Sequence, residues 1–97
     1  MNYVVRPLAS VTLELAKRSR DVQAHFQTVG AILAENPYPN PQFPLITEDW
    51  APDGTKVYTY SDRIFPYAIQ YLIFEPSGED YGMVVIFDLT PLRRRRT

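Results

Sequence analysis

The chain has 97 residues, of which 45% are hydrophobic and 22% are charged, with one histidine and no cysteine. This composition indicates one small globular domain and excludes disulfide bonds and metal sites built from thiolates or from several histidines. Residues 1–92 hold six basic and 11 acidic side chains, a net charge of −5, whereas the four consecutive arginines at 93–96 carry +4. Since nonspecific nucleic-acid binding requires a basic surface, the acidic body argues against it.

The sequence predicts neither export nor membrane contact. The N-terminal residues lack the basic and apolar regions of a signal peptide, and no apolar run approaches the roughly 20 residues that cross a bilayer. We therefore expect a cytoplasmic protein, with no cofactor and no metal ion. The acidic residues Glu75, Glu79 and Asp80 bracket a turn, and we expect them to be solvated rather than to bind a cation.

The N-terminal part of the chain predicts a strand followed by a short helix. Tyr3–Arg6 is rich in β-prone residues, and a proline follows it. Ser10 can act as the N-cap of a helix that ends near Arg18, because apolar residues recur along one face of this segment.

Residues 19–36 predict a longer amphipathic helix of about four turns. Ser19 can act as its N-cap, and Asn36 ends it because a residue that precedes proline disfavours the α conformation. Gly30 costs about 1 kcal/mol of helix stability relative to alanine, so we expect it to mark a close contact with another element. His25, the single histidine, is expected to be solvated or hydrogen-bonded rather than catalytic.

The second half of the chain predicts a long loop and then three strands. Residues 37–55 contain five prolines and no periodic pattern, which predicts a loop. Three later segments have the period or composition of strands: Val57–Ser61, Tyr67–Phe74 and Met83–Leu89. Strands joined by short connections pair antiparallel. We therefore predict a single α+β domain over residues 1–92, an antiparallel sheet with two helices packed on one face, and a basic tail over residues 93–97.

Three segments, in this order, are similar to parts of one known family. The segment Arg63–Tyr71, RIFPYAIQY, is similar to a stretch in which an arginine leads into Phe-Pro-Tyr and a strand that closes on tyrosine. The segment Ile32–Pro37, ILAENP, and the strand-then-helix opening Tyr3–Leu15 match further parts of the same layout. Together they resemble the RelE/ParE superfamily, the toxin subunits of bacterial type II toxin–antitoxin systems. The resemblance implies a RelE/ParE-like fold of strand, two helices and three strands.

The same resemblance implies a toxin that a cognate antitoxin protein neutralises. Its activity would be cleavage of mRNA at the ribosome or inhibition of DNA gyrase. Antitoxins of this kind lay a helix across the toxin helices or a strand along a sheet edge, and an acidic amphipathic segment would suit both the basic tail and the apolar grooves of this chain. The candidate antitoxin contacts are Arg93, Arg94, Arg95 and Arg96. A solubilising tail and a nucleic-acid contact are the alternative interpretations of this run.

A metal-independent endoribonuclease needs a general base, a cation that stabilises the charged phosphorane, and a general acid. Arg63, Tyr67, Tyr71 and Arg93 are the candidate catalytic residues under this hypothesis, because a guanidinium binds phosphate through its bidentate fork. Two alternatives stay open. Arg63 is equally consistent with a surface arginine paired with Asp62 or with a loop carboxylate, and tyrosines commonly fill half-buried sheets.

Two positions depart from the family pattern. Ala68 stands where the ribonuclease members have an arginine, and Asp88 stands where many members end the last strand with a histidine. Both replacements argue against nuclease activity. The main competing hypothesis is therefore a non-catalytic, degenerate toxin-fold module that binds another protein, or a second copy through Met83–Leu89 at a sheet edge.

A third hypothesis is a single-stranded RNA binder that stacks bases on Tyr58, Tyr60 and Tyr67. The negative charge of the body disfavours it, because RNA binding of this kind depends on a positively charged groove that follows the phosphate backbone.

Overall fold

The computed structural model describes residues 2–41 and 45–92. Two helices and five strands follow one another along the chain: β1 (Tyr3–Pro7), α1 (Ala9–Ala16), α2 (Arg20–Glu35), β2 (Ile46–Trp50), β3 (Lys56–Tyr60), β4 (Tyr67–Phe74) and β5 (Gly82–Pro91). The strands form one sheet in the order β1-β5-β4-β3-β2. The predicted α+β class, with a strand, two helices and then strands, is confirmed.

The sheet contains one parallel pair that the sequence did not predict. The neighbours from β2 to β5 all pair antiparallel, as expected for strands joined by short connections. β1 instead pairs parallel with β5, with Tyr3 opposite Gly82 and Pro7 opposite Ile86. Both helices and the other strands separate β1 from β5 in sequence, and a connection of that length permits parallel pairing.

The prediction of a continuous loop over residues 37–55 is wrong, because β2 lies within it. β2 is an edge strand in which Ile46 is buried and the next four residues are exposed, so its sequence shows no alternation. Its hairpin with β3 closes where the Ala51 N–H donates to the Thr55 carbonyl at 2.8 Å. Gly54 takes a φ of +88° in this turn, a conformation that glycine adopts without strain.

The two helices begin in different ways. Ser19 caps α2 as predicted, since its Oγ accepts a hydrogen bond from the Val22 N–H at 3.3 Å. The prediction that Ser10 caps α1 is wrong, because α1 begins at Ala9 and Leu8 occupies the N-cap. The Leu8 N–H donates to the Ile86 carbonyl at 2.9 Å, so pairing with β5 fixes the start of α1.

No helix within residues 2–41 and 45–92 is long and apolar enough to cross a membrane.

Both helices pack against one face of the sheet, which we call the covered face. The buried residues of β4 and β5 alternate along each strand, as a half-buried sheet requires. They meet the buried residues of the helices in one core: Tyr67, Ile69, Tyr71, Val84 and Ile86 from the strands, and Val11, Leu15, Phe26, Val29 and Leu33 from the helices. The opposite face, the open face, is not covered by any other element in the described part of the chain.

β5 lies between β1 and β4 and is therefore an interior strand. Pairing of Met83–Leu89 with a second copy would require this segment to lie at the edge of the sheet. The segment lies inside the sheet, so this pairing cannot form. The two edges of the sheet are β1 and β2.

Candidate functional site

Asp62 organises the loop between β3 and β4, which is the start of the segment that resembles the toxin family. Its Oδ1 accepts hydrogen bonds from the N–H groups of Ile64 at 2.8 Å and Phe65 at 2.6 Å. Its Oδ2 accepts the Tyr60 hydroxyl at 2.7 Å and lies 2.8 Å from His25 Nε2 on α2. This single carboxylate joins the loop, β3 and the second helix.

The surroundings of Asp62 keep it ionised. Burial by itself raises the pKa of Asp62, but the hydrogen bonds from the Phe65 N–H, His25, Tyr60 and the Ile64 N–H outweigh burial and lower this pKa to about 2. Burial and the hydrogen bond to Asp62 raise the pKa of Tyr60. The His25 ring stacks on Phe65 with centroids 5.4 Å apart. His25 is thus hydrogen-bonded and packed, as expected from the sequence.

Arg63 is exposed at the tip of this loop. The alternative in which it pairs with Asp62 is not formed, because both Asp62 oxygens bind other groups. No ion pair joins Arg63 to any residue of the described ranges. Its guanidinium can therefore meet a ligand, but no other basic side chain of the described strands accompanies it.

Tyr67 and Tyr71 lie on the covered face, away from the tip of the loop. Tyr67 is 4% exposed and lies beneath Arg18, whose Cζ is 5.3 Å from the ring centroid. Tyr71 is completely buried, and its hydroxyl donates to the Pro37 carbonyl at 2.6 Å. Burial raises the pKa of Tyr71, which opposes a role as a base. The structure places both side chains in the core and does not bring them together with Arg63.

Five of the seven tyrosines are buried, including Tyr58 and Tyr60. The base-stacking hypothesis requires Tyr58, Tyr60 and Tyr67 on an accessible face. Their burial removes the structural basis of that hypothesis.

The two positions that depart from the family pattern lie on the open face. Ala68 pairs with Thr90, and Asp88 pairs with Gln70. The Thr90 hydroxyl donates to Asp88 Oδ2 at 2.9 Å. Among the residues of the five strands, Arg6 is the one basic side chain on this face, so no cluster of cations forms there.

The remaining candidates, Arg93, Arg94, Arg95 and Arg96, lie outside the described residues. The described chain ends at Leu92, whose N–H donates to the Pro66 carbonyl at 2.9 Å. The last described residue is therefore adjacent to the loop that carries Arg63.

A groove, whose place and lining residues the sequence did not predict, runs between β1, α1 and α2. One part, of about 480 Å³, lies between β1 and α2. It continues into a second part of about 220 Å³ between the two helices, and Pro7, Phe26 and Gln27 line both parts.

Gly30 lies in this groove, and a Cβ added there would meet no atom within 4 Å. The prediction that Gly30 marks a close contact is therefore wrong. Small residues on one face of α2 were the available signal: Gly30, Ala31 and Ala34.

On the edge of β1 beside this groove, part of the backbone faces away from the sheet. The Gly82 N–H donates to the Asn2 carbonyl, and the Leu8 N–H donates to the Ile86 carbonyl, so the even-numbered residues face β5. Because backbone groups alternate in direction along a strand, the N–H and carbonyl groups of Tyr3 and Val5 point away from the sheet. No described strand pairs with this edge.

One end of the groove is basic. Lys17, Arg18 and Arg20 lie at the turn between α1 and α2, so this short segment holds three of the six basic side chains in residues 1–92. Glu14 pairs with Arg18 and lies 3.9 Å from Lys17. Together with Glu14 and Asp21, these three cations leave the turn a net charge of +1 on a body that is otherwise acidic.

Comparisons with protein-family models, with curated proteins and with solved structures find no match to this chain.

Proposed function

We propose that this protein is the toxin-like component of a type II toxin–antitoxin pair and that its principal property is to bind an antitoxin-like polypeptide in the groove between β1, α1 and α2. The open edge of β1 carries the proposal. The backbone groups of Tyr3 and Val5 offer hydrogen bonds to an added strand, and the adjoining groove offers apolar contacts to its side chains.

The charge distribution supports an acidic, amphipathic partner. The basic turn formed by Lys17, Arg18 and Arg20 adjoins the part of the groove lined by Leu15, Ala16 and Gln23. An amphipathic segment with apolar residues for the groove and acidic residues for the turn would satisfy both surfaces. Such a segment is also what the resemblance to the toxin family leads us to expect of an antitoxin.

The burial of two candidate catalytic side chains supports a role by binding rather than by RNA cleavage. Tyr67 and Tyr71 fill the core, and Ala68 and Asp88 provide no cation on the open face. Arg63 alone supplies neither a general base nor a general acid. Within this proposal, inhibition of DNA gyrase by binding is the favoured toxic activity, and the protein acts in the cytoplasm, where its targets and partner are found.

The proposal predicts a short reading frame next to the gene for this chain, and the test is to co-express that reading frame with this chain and to purify the complex by affinity. Gly30→Leu adds a side chain on the groove side of α2, where a Cβ meets no atom within 4 Å. Ala24→Leu adds the same side chain at an exposed position of α2 that does not line the groove. We expect the partner to co-purify with the wild type and with Ala24→Leu, and to be lost with Gly30→Leu. Equal recovery with both variants, or no complex with the wild type, would refute the proposal.

A further inference from the structure

One end of the open face is a contiguous apolar surface with no described element against it, whereas Gln70, Asp88 and Thr90 make the other end polar. Phe74 and Met83 pair across β4 and β5 and are 53% and 37% exposed. Leu72 and Val85 form the adjacent pair on the same face. Monomeric proteins rarely expose a contiguous apolar patch of more than a few hundred Å² without an interaction that covers it.

A row of five side chains crosses this face from one edge to the other. Arg6 pairs with Val85, and Val85 pairs with Leu72. Asp49 pairs with Val57, which the register of β3 and β4 places opposite Leu72. The row therefore has a cation at the β1 edge, an anion at the β2 edge and three aliphatic residues between them.

The row is complementary to itself. β4 is the central strand, so a two-fold axis along β4 places β1 of one copy over β2 of the other, and β5 over β3. This operation places Arg6 over Asp49 of a second copy, twice, and Leu72 over its own equivalent. An axis at right angles to the strands would instead bring two Arg6 side chains together, and like charges disfavour that arrangement.

A shallow pocket of about 310 Å³ lies at the acidic end of the row. Asp49, Thr59 and Gln70 contribute polar groups to it, and Val57 and Phe87 contribute apolar ones. The Asp49 Oδ1 accepts the Trp50 N–H at 2.8 Å, and its other oxygen can accept from a guanidinium. Arg6 is exposed and has no ion pair within residues 2–41 and 45–92. The pocket therefore offers a charged and polar setting for the Arg6 side chain of a second copy.

We propose that the protein forms a two-fold symmetric homodimer in which the two open faces pack against each other about an axis along β4, with reciprocal ion pairs between Arg6 and Asp49. The packing of two twisted sheets with nearly aligned strands is a common arrangement in proteins. The surface is separate from the groove beside α2, so the dimer and the partner complex do not compete for the same residues.

The test is the mass of the purified protein by size-exclusion chromatography with light scattering at micromolar concentration. We expect the wild type to be a dimer. Arg6→Asp and Asp49→Arg each place like charges together, and each is expected to raise the dissociation constant at least about tenfold. The double variant with both substitutions restores opposite charges, and we expect it to dimerise.

Mixing the two single variants separates loss of the interface from loss of the fold. One variant then carries acidic residues at both ends of the row and the other carries basic residues at both ends, so each of the two contacts joins opposite charges. We expect the mixture to form a heterodimer at concentrations at which each variant alone is monomeric. A monomeric wild type, single variants that dimerise as tightly as the wild type, or a mixture that dimerises no more tightly than either variant alone would each overturn the proposal.

Discussion

The same strands form the two faces of the sheet, yet the faces differ in whether their side chains are buried and hydrogen-bonded within the protein or exposed. On the covered face, the hydroxyls of Tyr60 and Tyr71 are hydrogen-bonded inside the protein. On the open face, no helix or strand of the described residues covers aliphatic and aromatic side chains, and Phe74, for example, is 53% exposed. The high tyrosine content of this chain therefore serves packing on the covered face.

The largest difference between the faces should appear in the free energy of unfolding. Ile69 and Leu72 lie on the same strand, but Ile69 is completely buried and Leu72 faces outward. Ile69→Ala should cost about 2–5 kcal/mol, because it removes apolar contacts and leaves a cavity in the core. Leu72→Ala should cost less than about 1 kcal/mol under conditions in which the protein is monomeric.

Urea-induced unfolding, measured at a protein concentration too low for dimerisation, checks this prediction. Equal losses of stability for Ile69→Ala and Leu72→Ala would mean that another part of the protein covers the open face within one copy. That result would also contradict the proposed dimer surface.

Asp62 and His25 link the loop between β3 and β4 to α2 on the covered face. Because Asp62 is stabilised as a carboxylate, we expect the free energy of unfolding to depend on pH. The pKa of Asp62 is about 2 in the folded protein, below the value of about 4 expected in an unfolded chain. The stabilisation is therefore complete above about pH 4 and is lost as the pH falls towards 2. With allowance for solvent screening, we expect it to amount to about 1–2 kcal/mol.

Thermal unfolding followed by circular dichroism between about pH 5 and pH 2 measures this contribution. Asp62→Asn should be less stable than the wild type at neutral pH, and the difference should shrink as the pH falls. Asp80→Asn, a substitution at an exposed turn, serves as the control and should follow the wild type. A difference between Asp62→Asn and the wild type that does not change with pH would contradict the role given to the carboxylate.

The sequence predicted those parts of the fold that depend on local patterns. The helix cap at Ser19 and the alternation of β4 follow from neighbouring residues, so they could be identified without a structure. The edge strand β2 could not, because only Ile46 is buried and the prolines of this region are typical of a loop. An edge strand shows little alternation when only one of its residues packs against the core.

The features of the candidate site depended on contacts between distant parts of the chain. Asp62 and His25 are 37 positions apart, and neither residue type predicts the other. The parallel pairing of β1 with β5 creates the open edge of β1, and no local pattern in β1 indicates which strand it joins. The groove likewise requires β1 and α2 to be placed side by side, so the small residues of α2 did not by themselves indicate where the groove lies.

The smallest expected effect concerns Gly30 and Gly82, because a side chain added at Gly30 enters open space and one added at Gly82 meets packed atoms. A Cβ at Gly30 meets no atom within 4 Å, so Gly30→Ala should raise stability by about 0.5–1 kcal/mol through helix propensity. A Cβ at Gly82 would lie 2.5 Å from the Tyr3 ring and 2.8 Å from the Phe74 carbonyl oxygen. Gly82→Ala should therefore lower the melting temperature, whereas Gly30→Ala should raise it by a few degrees. A lower melting temperature for Gly30→Ala would show that the groove is closed in solution, and the proposed binding of a partner there would then lose its structural basis.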